Sequence, residues 1–124
     1  MPPVAPIRVV TKPLAPSELA AFIGNPFPDM VKFVVDLDRR LVAVGGALHA
    51  DAEALLLEQG SRQEALWGGN YYPGRGADEC VEYGSLINIR PGQGNRSMLV
   101  QDEGVRGRMK KLVFELVGKG EAPG

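Results

Sequence analysis

The sequence has one cysteine and one histidine, and each scarcity excludes a class of site. Cys80 has no second cysteine with which to form an internal disulfide, and one thiol with one imidazole is too few for a structural zinc site. We therefore predict no disulfide framework, no bound metal and no cofactor. A chain without disulfides also suits the reducing cytoplasm.

Long apolar runs and a basic excess are missing as well. The apolar runs are far shorter than the ~20 residues that a membrane-spanning helix needs, so no membrane association is predicted. The start, MPPVAPIRVV, lacks the basic segment and apolar centre of a secretory signal, which predicts a cytoplasmic protein. A net charge of -1 disfavours nucleic acid as a partner, because phosphate binding requires a basic excess. Homo-oligomer formation is left open.

The charges that are present are unevenly distributed along the chain. Residues 47–83 contain seven acidic and two basic side chains, whereas residues 86–111 contain six basic and two acidic ones. This gradient indicates that one part of the molecule attracts anions. The alternative is that these charges lie on solvated faces, and we favour it for the helical residues.

Length and composition predict one globular domain. The chain has 124 residues, of which 44% are hydrophobic and 23% are charged, as in ordinary globular proteins. We assign residues 1–124 to a single domain, with flexible tails at 1–6 and 119–124.

The spacing of apolar residues predicts an α+β domain. Alternating or β-branched segments predict strands, and Ala-, Leu- and Glu-rich segments or a three-and-four apolar stripe predict helices. The order is β-α-β-β-α-β-β-β-β-α, which indicates a mainly antiparallel sheet with helices packed on one face. The predicted strands are 7–10, 30–37, 41–46, 63–73, 79–83, 86–90 and 97–100, and the predicted helices begin near Pro16, near Leu48 and after Asp102.

Two blocks contain most of the polar residues that have no evident structural role. They are GGALHADAEALLLEQGSRQEALWGGNYYP, from Gly45, and SLINIRPGQGNRSMLVQD, from Ser85. Together they resemble a family of small prokaryotic proteins catalogued only as a domain of unknown function, and the likeness extends from the first strand to the last helix. The resemblance implies a single intracellular domain of prokaryotic origin. It implies no catalytic residue.

His49 is the one candidate catalytic residue. It lies where a Gly-Gly strand end meets the start of a helix, a place where backbone N–H groups bind anions. It is a candidate acid–base group, although a lone histidine at a helix start is more often a capping or packing residue. A metal site with Asp51 and Glu53 is disfavoured, because Asp51 points away from the face that the other two share.

A cleft beside His49 is the predicted binding site. If the strands at 66–72 and 86–90 are neighbours, their polar side chains converge with His49, and Arg90 offers a planar fork to an anion. Gly92-Gln93-Gly94 lacks the Lys-Ser/Thr ending of a phosphate-binding loop and is interpreted as a hairpin loop. The predicted ligand-binding residues are His49, Asn70, Tyr72, Asn88, Arg90, Asn95 and Arg96.

Three functions remain open at this point. The first is binding of a polar or anionic small molecule in the cleft. The second is a protein-interaction or regulatory module without catalysis, and the third is a small enzyme in which His49 acts as acid or base. The sequence does not decide whether the protein is an enzyme, because no catalytic motif is present.

Overall fold

A computed structural model describes residues 5–122 and shows a five-stranded antiparallel sheet with three α-helices in that range. The strands are β1 (Ile7–Val10), β2 (Val31–Asp36), β3 (Leu41–Gly45), β4 (Leu66–Tyr71) and β5 (Val81–Glu82), and the helices are α1 (Pro16–Ala20), α2 (His49–Glu58) and α3 (Glu103–Leu116). The strand order across the sheet is β1-β3-β2-β4-β5. The predicted class, an α+β domain with a mainly antiparallel sheet, is confirmed.

The central strands β2 and β3 are buried on both faces of the sheet. Phe33 and Val35 point to one side, whereas Val34, between them, points to the other, and all three are inaccessible to solvent. Strands with apolar residues on both faces need a cover on each side. The apolar run LVAVG in β3, which contains no polar side chain, is the sequence signal for this arrangement.

The helices accordingly cover both faces, which corrects the prediction that they pack on one. Leu19 of α1 and Met109 and Leu112 of α3 belong to one apolar core, which also includes Phe33. Ala52 and Leu56 of α2 belong to a second core on the opposite face, which includes Val34. The candidate site described below lies on the face that α2 covers.

The segment that follows β5 differs from the prediction. Residues 86–90 and 97–100 were expected to form two strands, but the chain forms short 3₁₀ turns at Leu86–Asn88 and Pro91–Gln93. In place of a strand ladder, residues 84–99 contain two isolated backbone bridges, which pair Gly84 with Leu99 and Arg90 with Asn95. The prediction of strands at 86–90 and 97–100 is therefore wrong. The side chain of Asn88, and not a further strand, bonds to the β4 backbone at Gly68.

The predicted flexible tails lie partly outside the described residues. Within the described part, the Gly46 N–H donates to the Pro6 carbonyl at 2.9 Å, and the Gly120 N–H donates to the Tyr71 hydroxyl at 2.8 Å. These portions of the two segments are therefore bonded to the sheet or its loops. No helix within residues 5–122 is long and apolar enough to cross a bilayer.

Candidate functional site

The side chain of Asn88 forms hydrogen bonds with a part of the β4 backbone that does not pair with β5. β5 pairs only with Asn70 and Tyr71 of β4, which leaves Gly68 without a strand partner on that side. The Gly68 N–H donates to Asn88 Oδ1 and Asn88 Nδ2 donates to the Gly68 carbonyl, both at 2.9 Å. Since Asn88 is fully buried, its amide takes the place of a peptide group in a neighbouring strand.

The guanidinium group of Arg90 forms hydrogen bonds and an ion pair within the protein. Its Nε donates to the Ile87 carbonyl at 3.0 Å, its Nη1 to the Gln63 carbonyl at 2.6 Å, and its Nη2 to the Leu66 carbonyl. The same Nη2 lies 3.6 Å from Glu53 Oε2, in an ion pair whose side chains are only 10% and 15% exposed. The guanidinium therefore fastens the 86–93 segment to α2 and β4.

Asn95 organises the loop that follows. Its Nδ2 donates to three backbone carbonyls, those of Asn88 and Ser97 at 2.8 Å and that of Leu99 at 3.1 Å. Its Oδ1 accepts the N–H of Gln101 at 2.9 Å. Because every one of these groups lies on the backbone of the same loop, Asn95 has a structural role here.

An open cavity of about 600 Å³ lies between the start of α2 and the 84–99 segment. Three strands form its floor through residues that face one another in register: Lys32 of β2 opposes Asn70 of β4, and Asn70 opposes Glu82 of β5. His49, the first residue of α2, completes the polar part of the lining. The polar floor is defined here as Lys32, His49, Asn70 and Glu82.

Asn70 has a polar atom without a partner. Its Nδ2 donates to Glu82 Oε1 at 2.7 Å, but its Oδ1 is buried and makes no hydrogen bond with any described residue. The residue is only 7% exposed. A buried acceptor left without a donor costs about 1–3 kcal/mol. Because a water-sized molecule cannot touch Oδ1, this acceptor lies beneath the cavity floor and not on its open surface.

His49 is held in its neutral form. Its Nε2–H donates to the Gly69 carbonyl at 2.7 Å, so Nδ1 is the acceptor of the neutral ring. Burial lowers the pKa of His49, and the bond to Gly69 only partly opposes this effect. Lys32, whose own pKa is lowered by burial, acts on the His49 pKa in the same direction as burial, whereas hydrogen bonding with the Asn70 side chain and the charge of Glu82 act in the opposite direction. The polar floor thus contains one cation, one anion and a neutral imidazole.

The rim of the cavity is apolar and exposed. Leu86 is 71% exposed and Leu48 is 60% exposed, and Met98 and Leu99 are each about half exposed. Single exposed apolar side chains are common, but here four of them surround one opening. The apolar rim is defined as Leu48, Leu86, Met98 and Leu99.

The structure brings together two of the seven predicted ligand-binding residues. His49 and Asn70 line the cavity, although the neighbouring strand at 86–90 on which the prediction depended is replaced by 3₁₀ turns. The other five do not line it: Tyr72 lies beneath Arg75, with the guanidinium carbon 4.0 Å from the ring centre, and Arg96 is exposed. Asn88, Arg90 and Asn95 form the internal bonds described above.

Lys32, Glu82 and the apolar rim are absent from the sequence-based prediction. Lys32 alternates with buried residues in β2, a pattern that is also typical of a solvent-facing residue in a half-buried strand. Only the register between β2, β4 and β5 places it beside Asn70, and that register is set by contacts distant in sequence. Within residues 5–122, no group of three or more His, Cys, Asp or Glu side chains is arranged to hold a metal ion.

Comparison with known proteins identifies the family alone. No curated protein and no solved structure matches the chain. One family model matches over residues 8–116, which confirms the resemblance to a domain of unknown function. The chain therefore belongs to the family described as "Protein of unknown function (DUF5674)".

Proposed function

We propose that the domain binds a small amphipathic molecule in the cavity between α2 and the 84–99 segment. The volume of about 600 Å³ lies in the range of roughly 300–1,000 Å³ that is typical of small-molecule sites. Such sites combine an apolar lining with a few convergent polar groups, and the apolar rim and the polar floor supply these two features. The ligand would place its apolar part against the rim and its polar part on the floor.

The observation that supports the proposal most directly is the apolar rim around an opening whose lining also contains Lys32 and Glu82. A ligand that covers exposed apolar side chains such as Leu86 gains about 25 cal/mol for each Å² removed from water. Its polar part can contact the charged groups of the polar floor at the same time.

A partner protein is the second candidate occupant. Leu86 and Leu48 extend into solvent and offer apolar contacts to a segment of another chain as well as to a small molecule. The enzyme hypothesis has less support, because the Nε2 proton of His49 is donated to the Gly69 carbonyl rather than held ready for a substrate.

The test is a screen of small amphipathic compounds monitored by the backbone amide NMR spectrum. We expect shifts confined to residues 68–71 and 84–87. Leu86→Glu should weaken every hit by introducing a charge at the rim, whereas Leu57→Glu, the same change at an exposed α2 residue outside the cavity lining, should not. A screen that moves none of these amides would refute small-molecule binding. Shifts produced only by peptides would favour the partner protein.

A further inference from the structure

We infer that the ligand is zwitterionic, and that it is an α-amino acid with an apolar side chain; this inference rests on the proposed function. The arrangement of charge on the polar floor supports it. The ammonium group would lie against the Glu82 carboxylate, the carboxylate would lie toward Lys32, and the side chain would pack on the apolar rim.

The register of the sheet sets the spacing of the two charges. Lys32, Asn70 and Glu82 are directly opposed on three adjacent strands. Directly opposed residues have Cα atoms about 5 Å apart, so the backbones of Lys32 and Glu82 are about 10 Å apart with the Asn70 amide between them. A cation and an anion on either side of a neutral amide match a molecule whose two opposite charges are separated by a few bonds.

The charge balance disfavours ligands with a single charge. With His49 neutral, the charges of Lys32 and Glu82 cancel. A carboxylate alone would be attracted by Lys32 and repelled by Glu82, and an amine alone would be repelled by Lys32. A zwitterion can satisfy both groups, which narrows the polar or anionic ligand that the sequence suggests.

Lys32 and Glu82 form no ion pair with each other. Lys32 makes no ion pair with any described acidic residue, and its Nζ lies 5.2 Å from the centre of the Phe27 ring. Glu82 is exposed, and only its Oε1 accepts from Asn70 Nδ2. The Glu82 carboxylate can therefore also accept from an ammonium group, which has three donors.

The test compares leucine with analogues that each lack one group. Leucine, 4-methylpentanoate, which lacks the ammonium group, and 3-methylbutylamine, which lacks the carboxylate, would each be titrated against the intact protein by calorimetry and amide NMR. We expect leucine to bind at least tenfold more tightly than either analogue, with shifts at residues 68–71 and 84–87.

Two variants assign the charges to residues. Glu82→Gln should remove most of the preference for leucine over 4-methylpentanoate, and Lys32→Met should do the same for leucine over 3-methylbutylamine. Glu58→Gln and Lys12→Met make the same changes at exposed positions outside the cavity lining and should leave both preferences intact. Thermal melts of all four variants check that each one folds.

The two levels of the proposal fail in different ways. If the uncharged analogue 4-methylpentan-1-ol binds as tightly as leucine at the same amides, the zwitterion inference is overturned and small-molecule binding remains. If the general screen yields ligands of the cavity but neither leucine, methionine nor phenylalanine binds, the amino-acid assignment is overturned. If no compound of any charge moves the cavity amides, both proposals fail.

Discussion

Replacing Arg90 with methionine should destabilise the fold severely. The substitution keeps most of the aliphatic stem but removes the donors to the carbonyls of Ile87, Gln63 and Leu66. It also leaves the carboxylate of Glu53, which is only 15% exposed, without its cation. Removing one partner of a buried ion pair costs about 3–5 kcal/mol, and we expect about 3 kcal/mol because water reaches part of this site. That is a large share of the ~5–15 kcal/mol that stabilises a typical domain.

Urea unfolding followed by circular dichroism would measure this loss. Arg96→Met is the matched control, because Arg96 lies in the same loop but is exposed, and its change should stay within about 0.5 kcal/mol. In the double variant Arg90→Met/Glu53→Leu, the total loss should be smaller than the sum of the single losses, since no buried charge is left unpaired.

The Arg90→Lys variant separates two ideas about this residue. If Arg90 faced a ligand cleft together with His49, lysine would weaken binding and leave stability nearly unchanged. Because the guanidinium instead bonds to three backbone carbonyls in a fixed fork, lysine should cost about 1–3 kcal/mol. A loss below about 0.5 kcal/mol for both Arg90→Lys and Arg90→Met would refute the structural role.

Three further predictions concern the core, the sheet and pH. Leu112→Ala should cost about 2–5 kcal/mol in urea unfolding, because the side chain is buried under the sheet, and a loss typical of surface residues would contradict this packing. Gly69→Ala should cost about 1–3 kcal/mol, since a Cβ would lie 2.5 Å from the Glu82 carbonyl oxygen, whereas Gly92→Ala, which meets nothing within 4 Å, should be nearly neutral. Burial lowers the pKa of His49, so stability should be fully present above the unfolded value of about 6.5 and should fall as the pH drops toward the lower folded pKa. His49→Asn should remove that part of the pH dependence below about pH 6.5, and an unchanged slope would show that His49 does not cause it.

The local sequence pattern was sufficient to predict β2, β3 and α3. β2 and β3 correspond to the predicted strands at 30–37 and 41–46, which only the short turn DRR separates, and α3 corresponds to the helix predicted after Asp102. Asp102 Oδ1 accepts the Val105 N–H at 3.0 Å, as expected of such a cap. These features depend on residues that are neighbours in sequence, so their signals are present in the chain itself.

The tertiary structure decided the path of the 86–100 segment. LINIR alternates apolar and polar residues like a strand, but Asn88 bonds to both peptide groups of Gly68, twenty residues away, and thereby replaces a strand ladder. Periodicity describes which face a side chain occupies, not which distant backbone group it meets. Arg90 was assigned to a cleft for the same reason: its charge was visible in the sequence, whereas the carbonyls and the Glu53 carboxylate that engage it were not.

The sequence also indicated some residues of the candidate site, whereas others became evident only from the tertiary structure. The sequence singled out His49 and Asn70, because a strand-to-helix junction and a polar strand face are local features, but it joined them only through a predicted strand at 86–90 that does not form. It could not place Lys32 and Glu82 on either side of Asn70, because a shift of one residue between strands would turn these side chains to the opposite face. Packing of both faces against separate cores fixes that register, and the register determines which charges meet in the cavity.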